Sequence, residues 1–261
     1  MSAVTTLLRA TDRTTRRPWP ALGIGGGVVV WITIVLIADR DGSLAAQRVS
    51  GLLTWGVLVA VLAREPLLVR VQTGVVVAFA TAVEYTFSPL LEVYTYRFDN
   101  VPMYVPPGHG LVYLAALAIG RTAWVRRREH DLMPLVMLVG GGYAAYGIML
   151  ADRTDALGAF WFLCLAGFLL WGPSRGLYIG AFVVVTYLEI VGTSLGTWTW
   201  QTHDPTGIVA IGNPPSGAAG GYGWFDLAAL LAAPALVRMW WRLSPRDPVA
   251  DPTGSAAADV R

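Results

Sequence analysis

Two glutamates lie where acids are rare. Glu84 closes the apolar run 75–84, and Glu189 sits near the end of the apolar run 176–196. An aromatic-x-aromatic pair follows each of them, Tyr94 and Tyr96 after Glu84, Trp198 and Trp200 after Glu189. A carboxyl group out of water tends to keep its proton, and such an acid can protonate a substrate while an ionised neighbour takes a proton back. An ionisable group within a membrane segment is by default a functional-site hypothesis. Glu84 and Glu189 are therefore the candidate acid/base pair. Asp226, which enters from the last apolar segment between Phe225 and Leu227, is the candidate assistant.

The bland alternative for each is structural. Glu84 and Glu189 could lock a helical bundle by hydrogen bonding, and Asp226 could cap a helix. The aromatic residues suit an interfacial belt, or else a wall around a flat or extended apolar ligand, where ring faces also stabilise a developing cation. Tyr94, Tyr96, His109, Trp198, Trp200 and Trp224 are the candidate substrate-binding residues, and Trp198 and Trp200 stand out because they come directly after Glu189. His109 and His203 share this face with acids, but no HxxxH, HExxH or ExxH spacing is present, so no metal site is expected. The expected chemistry needs no cofactor. The GxG pairs near 108 and 221 follow no strand and are not dinucleotide fingerprints; they suit close helix approach.

These residues must be held by membrane helices. Of the 261 residues, 55% are hydrophobic and only 14% charged, against about 25% charged in soluble domains. All nineteen basic residues are arginine, and the net charge of +2 gives no nucleic-acid signal. The single cysteine, Cys164, reads as a small packing residue in an apolar run. The chain predicts an all-α polytopic membrane protein with about eight spans, near 21–38, 46–63, 67–87, 108–125, 133–150, 157–172, 176–196 and 223–241. If the N-terminus lies inside, fifteen of the nineteen arginines fall in the inner segments. The expectation is a multi-pass protein of the cell membrane with both termini cytoplasmic. Segment 1–20 reads as a basic cytoplasmic tail, and 243–261, rich in Pro, Asp and Ala, as a disordered one. The partners expected are the bilayer and a hydrophobic small molecule; the sequence is silent on oligomeric state.

The chain also reads as a duplication. Arg70 precedes Glu84 by 14 residues, and Arg175 precedes Glu189 by 14. The ten residues from Gly108 match six of the ten from Gly221, with His109 opposite Tyr222 and Tyr113 opposite Asp226. Two parallel four-helix repeats, 21–126 and 127–242, follow from this, related by an axis along the membrane normal. At 1.5 Å per residue both glutamates then lie roughly 21 Å from their inner arginine, at matched depth.

The second motif resembles one in the membrane-integral carotenoid biosynthesis family, which includes carotenoid hydratases. The matching positions are Glu189, Gly192, Gly196, Trp198 and Trp200, with tryptophan where that family has tyrosine. Aromatic-rich helices bearing Glu also resemble the small membrane lycopene cyclases. The resemblance implies cofactor-free acid catalysis on an isoprenoid double bond: hydration, cyclisation or isomerisation. A proton-coupled small-molecule transporter and a non-catalytic subunit of a membrane complex are the alternatives.

Overall fold

The computed structural model describes residues 20–243. The basic segment 1–20 and the tail 243–261 lie outside that range, apart from Pro20 and Leu243. Each of the eight apolar segments contains a helix: α1 (Ala21–Asp41), α2 (Leu44–Leu62), α3 (Leu67–Tyr85), α4 (Val105–Gly120), α5 (Ala123–Met149), α6 (Ala156–Trp171), α7 (Arg175–Ser194) and α8 (Ala218–Leu243). Local chemistry sets several of the starts. Ser43 accepts from Ala46 N at 3.2 Å before α2, Thr122 from Val125 N at 3.3 Å before α5, and Asp155 from Gly158 N at 2.9 Å before α6. Pro106 and Pro107 occupy the first turn of α4, where a missing N–H costs nothing.

Six of these helices (α1, α2, α3 with its extension, α5, α7 and α8) are long and apolar enough to cross a membrane. The chain is a helical protein of membrane type. Large apolar side chains cover its outer surface, among them Leu22, Leu52, Leu138 and Leu231; a surface of this kind suits lipid and would be a liability in water. α4 and α6 are apolar but shorter. α4 is the central helix, with thirteen of its sixteen residues buried, and it packs against α1, α2, α3 and α7. α7 approaches it closely: the Gly120 and Gly176 backbones meet, and a Cβ on Gly180 would strike the Ala116 carbonyl. Small residues of this kind are what let membrane helices pack tightly. α8 lies on α3, α6 and α7.

Three details differ from the sequence expectation. α5 begins at Ala123, not near 133, because Arg126–Glu129 are good helix formers that extend the helix beyond its apolar part. The expected boundary between residues 126 and 127 thus falls inside a helix. The fold is also not purely helical. The two aromatic-x-aromatic segments are strands, β1 (Tyr94–Tyr96) and β2 (Trp198–Trp200), and they pair antiparallel, Tyr94 opposite Trp200 and Tyr96 opposite Trp198.

Two buried aspartates fix the loops that carry this ribbon. Asp155 accepts from the backbone N–H of Gly158, Gly212 and Ser216 at 2.9, 2.8 and 2.6 Å. Asp39 accepts from Gln47 Nε2 at 2.9 Å and from the Tyr104 hydroxyl at 2.9 Å, with Arg97 at 3.8 Å. Arg97 also donates to the Gly42 carbonyl, and Arg153 to the Ile211, Trp200 and Gln201 carbonyls.

Candidate functional site: two carboxylates in an aromatic cavity

Side chains two apart on a strand share a face. The pairing of β1 with β2 therefore puts four rings on one side of the ribbon. Tyr94 and Trp200 lie 4.4 Å apart between ring centres, Tyr96 and Trp198 6.2 Å. Each pair serves the glutamate of its own half. Tyr94 and Tyr96 both donate to Glu84 Oε2 at 2.8 Å. Trp198 and Trp200 both donate from Nε1 to Glu189 Oε2, at 3.1 and 3.2 Å. The phenols of β1 are pushed well above their ordinary range, first by burial and then by the Glu84 charge, which keeps them as donors.

The chain reaches these two constructions by different local means. After Glu189, Gly192 has no side chain because the Trp198 indole lies where its Cβ would be, and Gly196 takes φ +70° to turn the chain into β2. After Glu84 there is no glycine. A π-helical turn at Thr86–Leu90, with Pro89 inside it, extends α3, and Glu92 adopts φ 49°. A π turn accommodates one extra residue. It matches the spacing, since Tyr94 is ten residues beyond Glu84 and Trp198 is nine beyond Glu189.

The glutamates line one cavity of about 290 Å³. Tyr94, Tyr96, His109, Trp198, Trp200 and Trp224 line it as well; the first five are buried and Trp224 is half-exposed. The glutamates differ in their company. Glu84 spends both oxygens, since His109 Nε2 lies 2.8 Å from Oε1. Glu189 Oε1 has no hydrogen-bond partner among the described residues. His109 stacks on Tyr222 at 4.9 Å, and its Nδ1 is buried without a partner.

Asp226 does not join them. It is buried on α8 next to Phe225, but it is absent from the cavity wall and near enough to Tyr113 and Tyr178 to act on them electrostatically. Those two hydroxyls are themselves buried without partners. It is no N-terminal cap either, since it falls well inside α8. His203 is exposed on the loop after β2 and not on the cavity. Among the described residues no cluster of three or more His, Cys, Asp or Glu could hold a metal. Cys164 is half-buried and packs against the core. Sequence reasoning missed Trp31, Phe79, Phe87 and Trp161 as wall residues; each lies in an apolar run and carries no signal that separates a cavity-facing ring from a lipid-facing one. Compared with protein-family models, curated proteins and solved structures, the chain matches none.

Proposed function

We propose that this chain is a membrane enzyme acting by acid-base catalysis on a hydrophobic isoprenoid or other lipid double bond, with Glu189 as the proton-transferring group and Glu84, its oxygens taken by Tyr94, Tyr96 and His109, as its fixed partner in the cavity. The observation that carries this reading is two carboxylates in one aromatic cavity, one fully engaged and one with a free oxygen. Glu189 Oε1 is the proton-transferring atom. Its proton goes to one alkene carbon, the π pair becomes the new C–H bond, and the other carbon becomes cationic. The ring faces of Trp198, Trp200 and Tyr94 shelter that cation. Water then adds and returns a proton to the carboxylate, which gives hydration. Loss of a neighbouring proton to the carboxylate gives isomerisation, and attack by a second double bond before that loss gives cyclisation. No cofactor takes part.

The resemblance to the carotenoid biosynthesis family belongs to this proposal. Its five matching positions acquire physical roles: Glu189 as acid, Gly192 as space for Trp198, Gly196 as the turn, and the two indoles as donors. The duplication belongs here too, with eight crossing helices in two parallel repeats and both termini cytoplasmic in the cell membrane. It is supported by the contact between matched positions. β1 pairs with β2, His109 stacks on Tyr222, and α3 packs on α8 as α4 packs on α7.

The test is mass spectrometry of lipid extracts from a host that makes acyclic isoprenoids, carrying wild type, Glu189→Gln or empty vector. The expected result is a product, heavier by one water or isomeric with its precursor, that disappears in Glu189→Gln. Identical extracts from membranes that contain the protein would end the enzymatic reading. Asp226, buried in α8 with no hydrogen-bond partner among the described residues, favours a second reading, a proton-coupled transporter. That reading requires proton uptake into proteoliposomes that is lost in Asp226→Asn.

A further inference from the structure

We infer that a second site, at the end of the bundle opposite the ribbon, binds the phosphate group of an anionic phospholipid through Arg121, Arg126 and Arg175. It shares no residue with the aromatic cavity and is independent of the chemistry proposed there.

The site is built where three helices end. α4 finishes at Gly120, α5 carries Arg126 and Glu129 in its first two turns, and α7 starts at Arg175. The Gly120 and Gly176 backbones meet. Arg121 and Arg175, each next in the chain to one of these glycines, are thereby brought together. Arg126 joins them from α5, and all three line one open pocket with the turn between α6 and α7. From this pocket α7 runs for 20 residues towards the ribbon, a rise of roughly 30 Å. That is about the thickness of a hydrocarbon core, which sets the pocket at headgroup level.

The cations there are short of anions. Arg121 Nη1 lies 3.7 Å from Glu65 Oε2. Arg175 donates from Nε to the Leu169 carbonyl at 3.0 Å. Its terminal nitrogens, like the whole exposed guanidinium of Arg126, have no partner among the described residues. The one acid in the wall is Glu129, which is in no ion pair among those residues. Three guanidiniums thus face one carboxylate, and like charges at close range repel unless an anion is set among them.

The first half of the chain fills the corresponding place from within. Arg70 and Arg175 each lie 14 residues before a glutamate of the aromatic cavity. Five residues before Arg70 the chain supplies the buried Glu65, on which both Arg121 and Arg70 act. Five residues before Arg175 stands Leu170, and the segment 170–174 contains no acid. The anion that Glu65 provides in one half has to come from outside in the other.

The wall selects that anion. Three guanidiniums exclude a cation, and the planar fork of arginine matches phosphate oxygens two at a time. Leu170 and Trp171, 39% and 82% exposed, put apolar surface on the same pocket. A free phosphate ion has nothing to place against them, whereas a phospholipid has its glycerol and acyl chains. Basic pockets between membrane helices are one of the forms that lipid headgroup recognition takes.

The test is native mass spectrometry of the full-length protein in detergent, titrated with phosphatidylglycerol or phosphatidylcholine. The expected result is one retained phosphatidylglycerol, held about tenfold more tightly than phosphatidylcholine. Combining Arg126→Gln with Arg175→Gln should weaken it about tenfold or more. Combining Arg127→Gln with Arg128→Gln removes two exposed arginines of α5 that do not line the pocket, and should stay within about twofold of wild type. Arg126→Gln alone removes an exposed side chain without partners, and its expected loss of about threefold keeps the test open if Arg175→Gln fails to fold. Millimolar inorganic phosphate separates the two sources of the group. It should leave the lipid bound; displacement of the lipid would show a phosphate site filled from water and overturn the lipid assignment. Equal retention of the two lipids, or equal losses in the two double variants, would overturn the site itself.

Discussion

Tyr94 and Tyr96 converge on a single oxygen of Glu84, so each phenol can be removed alone. Tyr94→Phe or Tyr96→Phe leaves the ring and deletes one donor, at a cost of about 1–3 kcal/mol each. Because they share an acceptor, the double variant will not show the sum of the two losses; thermal melts of the three variants in nanodiscs check this. Gly192→Ala is harsher. Its methyl group would enter the Trp198 indole, so the ring must leave Glu189. Overpacking of this kind costs about 1–3 kcal/mol, and the tryptophan emission of the variant will shift. The acids and their aromatic partners were legible in the sequence because glutamate inside an apolar run is anomalous and the x-spaced rings recur. The roles of Glu84 and Glu189 were not separable there: what divides them is His109, which reaches Glu84 from α4, 25 residues away. Asp226 misled because a buried acid on the right helix looks the same from sequence whichever way it faces.

The eight helices were visible as apolar runs, whereas the ribbon that sets the site was not. Three-residue strands such as Tyr94–Tyr96 and Trp198–Trp200 carry too little periodicity to read, and their pairing joins segments about a hundred residues apart. Asp155 holds the second half of that arrangement. In Asp155→Ala the N–H groups of Gly158, Gly212 and Ser216 lose their shared acceptor. The expected loss is about 3 kcal/mol or more, read as a lower melting midpoint and as faster proteolysis in 201–217. Glu65, in the turn between α2 and α3, gives a pH effect. Burial pushes its carboxyl above the usual range, and Arg121 and Arg70 pull it part of the way back. The folded protein thus holds this proton to a higher pH than the unfolded chain. The side chain's contribution is complete below the unfolded value and fades as pH rises through the folded one. Glu65→Gln should therefore melt like wild type at low pH and progressively above it as pH rises past the unfolded carboxyl's value of about 4.3. A gap that shrinks as pH rises would contradict the assignment.

Across the whole molecule the two halves interlock: α3 rests on α8, and α4 on α7. Neither half encloses the cavity by itself, since its wall takes Glu84 and His109 from one and Glu189 and Tyr222 from the other. Cutting the chain in the turn at Arg121–Thr122 tests this. Segments 1–121 and 122–261 made together should co-purify, and each made alone should be degraded. Stable accumulation of either one alone would show that the halves are independent bundles.

The burial of α4 also bears on how the chain is made. Its natural neighbour α7 ends at Ser194, well after α4 ends at Gly120. At about 5–20 residues per second, synthesis takes roughly 4–15 s to cover that interval. During those seconds the segment carrying His109 and two prolines lacks the neighbour that covers its α7 side. Until α7 is made, α4 has chiefly α1, α2 and α3 to pack against, so the centre of the fold is completed late.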